Sequence, residues 1–226
     1  MKKKIFVLLF LLIAVLSFTG CKSKKDKEAA LDFKKEYESI NEKEISEGKV
    51  HRTLSIPEDN PFEKVSPKEV LDMIDKKETF YLYVGDSFCP WCRSVLEKAI
   101  EVAKDNKIKK IYYIEIWDDE WNEIFRDKYE LKDGKVSKVS DGTKEYKEFL
   151  NTFDSVLSDY TLTDDSGKKV EVGEKRIYAP NYFYIKDGKV VKMIEGISDK
   201  QKGPFDELTK EILKDEEKQF NKLFKN

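Results

Sequence analysis

Cysteine and histidine are scarce in this chain of 226 residues: three Cys, at positions 21, 89 and 92, and one His, at position 51. So few cysteines cannot form the disulfide framework on which small exported domains depend. A structural zinc site wants four ligands, and one Cys-x-x-Cys pair supplies two, with His51 far off in sequence. Basic clusters are equally lacking. Beyond the short run Lys22–Lys27 there is no block of Lys and Arg, and the formal net charge is −2. Phosphate neutralisation needs such clusters, so nucleic acid is not expected as a partner. The chain shows no internal repeat. Its longest apolar run, Ile5 to Leu16, would rise about 18 Å as a helix, short of a hydrocarbon core of roughly 30 Å.

What the N-terminus does contain is ordered like an export signal. Met1-Lys2-Lys3-Lys4 is basic, Ile5–Leu16 is apolar, and Thr19-Gly20-Cys21 follows. This is the layout of a secretory signal peptide, with an uncleaved N-terminal anchor as the alternative. Small residues before Cys21 and a polar run after it resemble the lipobox of bacterial lipoproteins, with Phe18 where that family usually has Leu. The resemblance implies cleavage after residue 20 and a diacylated Cys21 at the mature N-terminus. Two acyl chains anchor stably where one does not. The implied location is the extracytoplasmic face of the cell membrane in a Gram-positive-like bacterium.

The remainder reads as residues 21–30, a charged linker; 31–65, an N-terminal extension; and 66–226, one α/β domain. Leu31, Phe33, Tyr37, Ile40 and Ile45 predict an amphipathic helix over about 28–46. Ser66-Pro67-Lys68-Glu69 is a helix start with a capping box. Thr79–Val84 is β-branched and aromatic, as a buried strand should be. Pro90–Lys104 is helical, and Lys110–Trp117 is a second strand. A β–α–β unit makes the two strands parallel. Glu120–Tyr129 and Thr143–Leu157 predict helices, the second with Tyr146, Phe149, Leu150, Phe153 and Leu157 inward. Residues 164–173 suggest a small hairpin. Asp187-Gly188 between Tyr182–Lys186 and Lys189–Glu195 is a strong hairpin signal, and a C-terminal amphipathic helix runs from Pro204.

The stretch Cys89-Pro90-Trp91-Cys92 sits where the first strand turns into the helix. A bridge between its cysteines closes a ring too small to constrain the unfolded chain much, so stability is not its main purpose. A cysteine at a helix N-terminus faces unpaired N–H groups and the positive end of the macrodipole, and both favour thiolate. Three positions later on a helix is the same face. Cys89 is thus the expected nucleophile and Cys92 the resolving thiol. Pro90 fits the first helical position without losing a hydrogen bond, and Trp91 is expected exposed beside Cys89 as an apolar contact for a client.

Element order and the Cys-x-x-Cys position resemble the thioredoxin superfamily, and more narrowly the thioredoxin-like lipoproteins of Gram-positive bacteria. The resemblance covers about 66–117 and 177–226. It implies a central mixed sheet flanked by helices, with a large insertion, about 118–176, before a cis-proline loop at Ala179-Pro180. Pro180 would pack on the cysteine pair and Ala179 would offer its backbone to a substrate. No cofactor beyond the Cys89–Cys92 disulfide and no metal is expected. The implied partners are protein thiol or disulfide clients and a membrane thiol-redox donor or acceptor.

Two departures stand out. Thioredoxins carry a buried Asp six positions before the first cysteine, where this chain has Tyr83; Asp86 and Glu115 are the possible substitutes. The inserted 118–176 leaves the strand end nearest Cys89, so a client-selecting cap is expected there, with Trp117 and Trp121 as contacts or else as packing residues. His51 is expected at the surface or in a strand with no role. The expected activity is thiol–disulfide oxidoreduction. A non-catalytic binding module such as a bacteriocin-transport accessory, a copper-handling lipoprotein and an inert structural bridge remain open.

Overall fold

A computed structural model describes residues 23–118 and 122–225. The signal segment, Cys21 and Trp121 lie outside the described residues. In chain order the elements are α1 (Lys24–Glu38), β1 (Glu44–Ser46), β2 (Lys49–Val50), β3 (Phe62–Lys64), α2 (Pro67–Asp75), β4 (Phe80–Gly85), α3 (Pro90–Asp105) and β5 (Ile111–Glu115). There follow β6 (Lys128–Lys132), β7 (Lys135–Ser140), α4 (Lys144–Phe153), β8 (Ser158–Thr163), β9 (Lys169–Arg176), β10 (Asn181–Lys186), β11 (Lys189–Ile194) and α5 (Lys210–Phe224). Among the described residues no helix is long and apolar enough to cross a membrane.

The central sheet has five strands in the order β11-β10-β4-β5-β3. β3, β4 and β5 run parallel, while β10 is antiparallel to both β4 and β11. This mixed sheet with flanking helices is compatible with a thioredoxin-like fold. Strand side chains alternate between faces, and the two faces carry separate cores. Tyr81, Tyr83, Ile111, Tyr113, Tyr182 and Tyr184 point towards α1, α3 and α5. Phe80, Leu82, Val84, Ile114, Phe183 and Ile185 point towards α2 and α4. Phe149 and Phe153 of α4 are wholly buried against that second face, and Phe153 meets Phe183 edge-on at 4.8 Å. Burying each such ring contributes about 1.5–3 kcal/mol. The middle of the inserted segment is therefore part of the core. Its two hairpins, β6–β7 and β8–β9, lie outside the central sheet.

Several boundaries differ from the sequence reading. The charged linker is already helix from Lys24, because Ser23 and Asp26 form a reciprocal capping box. The same helix ends at Glu38, short of residue 46, and the chain turns into the β1–β2 hairpin, with Gly48 at φ +73°. Glu120–Tyr129 is not a helix over its described part. Trp117 bridges Glu123, and Ile124 and Phe125 both donate to the carbonyl of Ile116, so the chain doubles back onto the end of β5. α5 starts at Lys210, capped by Thr209, later than Pro204. The N-terminal extension packs as core: Phe33, Tyr37, Leu54, Ile56 and Phe62 share the cluster with α3 and α5.

Ion pairs fix the direction of α1. Lys25 meets Glu63 at 3.2 Å, and Asp26 meets Lys110 at 2.8 Å. Lys110 immediately precedes β5 and Glu63 lies in the parallel β3 beside it, so α1 begins towards the end of the sheet opposite the one where β4 delivers Cys89.

Candidate functional site

β4 ends at Gly85, and four residues later Cys89 caps α3. The loop between them is held by Asp86. Its Oδ1 accepts from the Phe88 amide at 2.7 Å, its Oδ2 accepts from Trp117 Nε1 at 2.9 Å, and its carbonyl accepts from the Cys89 amide at 3.2 Å. Cys89 has the extended backbone of a cap residue, φ −69° and ψ 115°, with Pro90 opening the helix. The Cys92 amide points at Cys89 Sγ across 3.4 Å. Both thiols are free, Cys89 half-buried and Cys92 fully buried.

The two thiols are driven apart electrostatically. A hydrogen bond from the Cys92 thiol, followed by the helix amides of Cys92 and Trp91, holds the Cys89 pKa below the usual thiol value despite burial and the nearby Asp86 carboxylate. Burial pushes the Cys92 thiol well up, and the neighbouring Cys89 adds to the rise. Asp86 is itself raised by burial, partly offset by its bonds from Trp117 and Phe88. One exposed-side sulfur biased to thiolate and one buried sulfur biased to thiol is the division of labour that nucleophile and resolver require.

Beneath Cys92 lies a ladder of tyrosines. Tyr83 stacks on Tyr113 of β5 at 5.2 Å and on Tyr182 of β10 at 4.5 Å. Its hydroxyl pairs with that of Tyr37 from α1 at 2.9 Å and also reaches the Cys92 thiol. The ring lies across Gly85, where any Cβ would overlap it. Tyr83 is therefore built into the floor of the site. Glu115, at the end of β5, is pushed up to about 8 by burial, and Tyr113 donates to it while also reaching Glu36 at 2.9 Å.

The Ala179–Pro180 bond is cis. The Cys89 thiol donates to the Ala179 carbonyl at 3.4 Å, which brings together residues 90 positions apart in sequence. Beside this contact runs a groove of about 470 Å³, lined by Trp91, Tyr178, Ala179 and Pro180 on one side and by Ser158 and Thr161 of β8 on the other. Trp91 is half-exposed, less open than expected.

The structure thus gathers Cys89, Pro90, Trp91, Cys92, Ala179 and Pro180 at one sheet edge. Trp117 faces inward to Asp86 and the second core, as a packing residue. Two residues escaped sequence reasoning. Arg93 is 1% exposed and donates to the carbonyls of Tyr37 at 2.8 Å, Ser87 at 3.1 Å and Arg52 at 3.0 Å, and to the Asn41 side chain. The only available signal was an arginine on the buried face of an amphipathic helix. His51 is 5% exposed, not a surface residue, and meets Phe88 of the active-site loop edge-on at 5.6 Å. Burial and the nearby Arg93 and Lys43 lower its pKa. Among the described residues no group of three or more His, Cys, Asp or Glu side chains is placed to hold a metal ion.

A scan against protein-family models finds no match to this chain, and a search of the curated proteins finds none either. Geometry alone therefore supports any functional reading.

Proposed function

We propose that this chain is a thiol–disulfide oxidoreductase of thioredoxin-like fold, anchored through a lipidated Cys21 at the extracytoplasmic face of the membrane, with Cys89 as nucleophile and Cys92 as resolver. The observation that carries the reading is the Cys89 sulfur at the N-terminus of α3, taking the Cys92 amide at 3.4 Å beside a buried second thiol. The Cys89 thiolate attacks one sulfur of a client disulfide and releases the other as thiolate. Cys92 then attacks the Cys89 sulfur of the mixed disulfide, freeing the second client thiolate and leaving Cys89–Cys92 oxidised. The reverse sequence oxidises a client dithiol. Trp91, Ala179 and Pro180 form the client contact. Partners are protein thiols or disulfides and a thiol-redox donor or acceptor in the membrane.

The test is trapping. A Cys92→Ser chain should accumulate a mixed disulfide at Cys89 with a disulfide-bonded peptide, seen by mass spectrometry, and Cys89→Ser should form none. Retention of full biological activity in Cys89→Ser would leave a binding module in place of an enzyme. A redox titration of the pair against glutathione then sets the direction of electron flow, since about 30 mV corresponds to 1.4 kcal/mol.

A further inference from the structure

Resolution by Cys92 requires that a deeply buried thiol lose its proton, and the family's buried acid is absent from β4. A carboxyl elsewhere meets the need. Glu216 of α5 is 0% exposed, and neither of its oxygens has a hydrogen-bond partner among the described residues. The Tyr182 hydroxyl is likewise buried, beside the hydroxyl of Tyr83. A fully buried carboxyl with neither oxygen bonded to protein calls for a partner, because buried polar groups are nearly always satisfied by protein or by ordered water.

Their placement joins them to the site. Phe220, one turn after Glu216 on the same face of α5, packs edge-on against the Tyr182 ring at 4.9 Å. Tyr182 stacks on Tyr83, whose hydroxyl reaches Cys92. The tyrosine ladder thus spans from below the resolving thiol to the inner face of α5. At its other end Glu115 is already engaged by Tyr113 and by the Ile116 amide at 3.0 Å, so it is less free to exchange protons.

We propose that Glu216 is the proton acceptor for the resolving thiol, acting through the hydroxyls of Tyr182 and Tyr83 with water bridging the remaining gap. This rests on the oxidoreductase reading. In the step, the Cys92 thiol gives its proton to the ladder, each hydroxyl passes one proton on, and the Glu216 carboxylate ends protonated. The Cys92 thiolate attacks Cys89, the Cys89–Cys92 bond forms, and the client leaves as a thiolate. Burial raises the Glu216 carboxyl to about 7, near the pH at which an acceptor exchanges protons readily. The charged and titratable groups around it are Lys98 of α3, Arg52 of the extension, its neighbour Asp215 and Tyr182 of β10; Lys192 of β11 bonds further along α5, at the Lys222 carbonyl.

The experiment follows one turnover of the full chain, reduced and mixed with oxidised glutathione, by rapid acid quench and mass spectrometry between pH 5.5 and 8.5. It compares wild type with Glu216→Gln and Tyr182→Phe. Expected is a resolution rate at neutral pH at least tenfold lower in both variants, with the inflection near pH 7 lost, while the alkylation of Cys89 by iodoacetamide keeps its pH profile. An unchanged inflection in either folded variant overturns the relay. So does a slowing matched by an equal change at Cys89, which is a structural effect. Should one variant fail to fold, the other decides. If the wild type forms no glutathione adduct at Cys89, the oxidoreductase reading falls, and the relay with it; if the adduct forms and resolves with the same pH dependence in all chains, only the relay falls.

Discussion

Asp86 sets a carboxylate behind two thiols and opposes the negative charge of each. It also holds the loop, accepting from Phe88 and Trp117, and an amide of the same shape removes the charge while keeping only one of those two acceptors. In Asp86→Asn the Cys89 thiol should become more acidic by about half to one unit, and the disulfide should become a stronger oxidant by roughly 15–30 mV. Iodoacetamide trapping across pH and a glutathione titration read the two quantities; a rise in the Cys89 pKa would contradict the assignment. The cysteine pair was legible in sequence because Cys-x-x-Cys after a buried strand has a local cause, the helix start. The residues beneath it were not. Tyr83 stood out only as the residue where thioredoxins carry an acid, and nothing local shows that Gly85 clears the space in which its ring reaches Cys92. The burial of His51, expected at the surface or in a strand, is not legible in sequence because it comes from Phe88 and Arg93, which are distant in the chain.

Among the elements, α3 carries the site and is fastened to the N-terminal extension by Arg93. Among the described residues no carboxylate is hydrogen-bonded to this guanidinium; it is satisfied by the carbonyls of Tyr37, Arg52 and Ser87 and by the Asn41 side chain. Arg93→Met should destabilise the fold by about 3 kcal/mol or more, since several buried acceptors lose their donor at once. Arg93→Lys should recover little, because one ammonium lacks the planar fork that spans these acceptors. Denaturant unfolding measures both. The inserted segment asks for a different kind of change. α4 supplies Phe149 and Phe153 to the core, so removing 118–176 would unfold the chain. Shortening the β8–β9 hairpin at its turn, residues 164–168, leaves α4 in place and lowers one wall of the groove beside Trp91. Turnover of a protein client should then fall several-fold while a small disulfide is spared; equal loss on both would sink the idea of a client-selecting wall. Long periodic elements were readable here. β3 was missed because three residues on a sheet edge carry too little pattern, and Glu120–Tyr129 was misread because helical spacing does not reveal a chain pinned back on β5.

For the whole molecule, proton linkage has a definite sign. Glu115 and Glu216 hold their protons more tightly in the fold, at about 8 and about 7, than the ordinary 4.5 of an unfolded chain. Stability from these two is present in full below about pH 4.5 and is lost as pH rises through 7 and 8. Asp26, lowered to about 2, and Glu38 and Glu69, also lowered, act the other way, losing their contribution as pH falls below 4.5. The midpoint of thermal unfolding should therefore peak near pH 5 and fall by more than about 3 °C towards pH 8, a shift worth roughly 1 kcal/mol at this size. Glu216→Gln should flatten that fall. On the proposed lipidation, Cys21→Ala should move the protein from the membrane fraction to the soluble one, and persistence in membranes would point to an uncleaved anchor instead. The capped start of α1 then governs reach. Only Lys22 separates Cys21 from the Ser23 cap, a leash of about 7 Å at full stretch, and α1 begins at the end of the sheet away from Cys89. If Cys21 carries the proposed lipid, the body would ride close on the bilayer with Cys89 facing outward, at a standoff of at least the length of β4, about 17 Å. A membrane-embedded redox partner of the kind proposed would then have to raise a soluble arm to that height before the two sulfurs could meet.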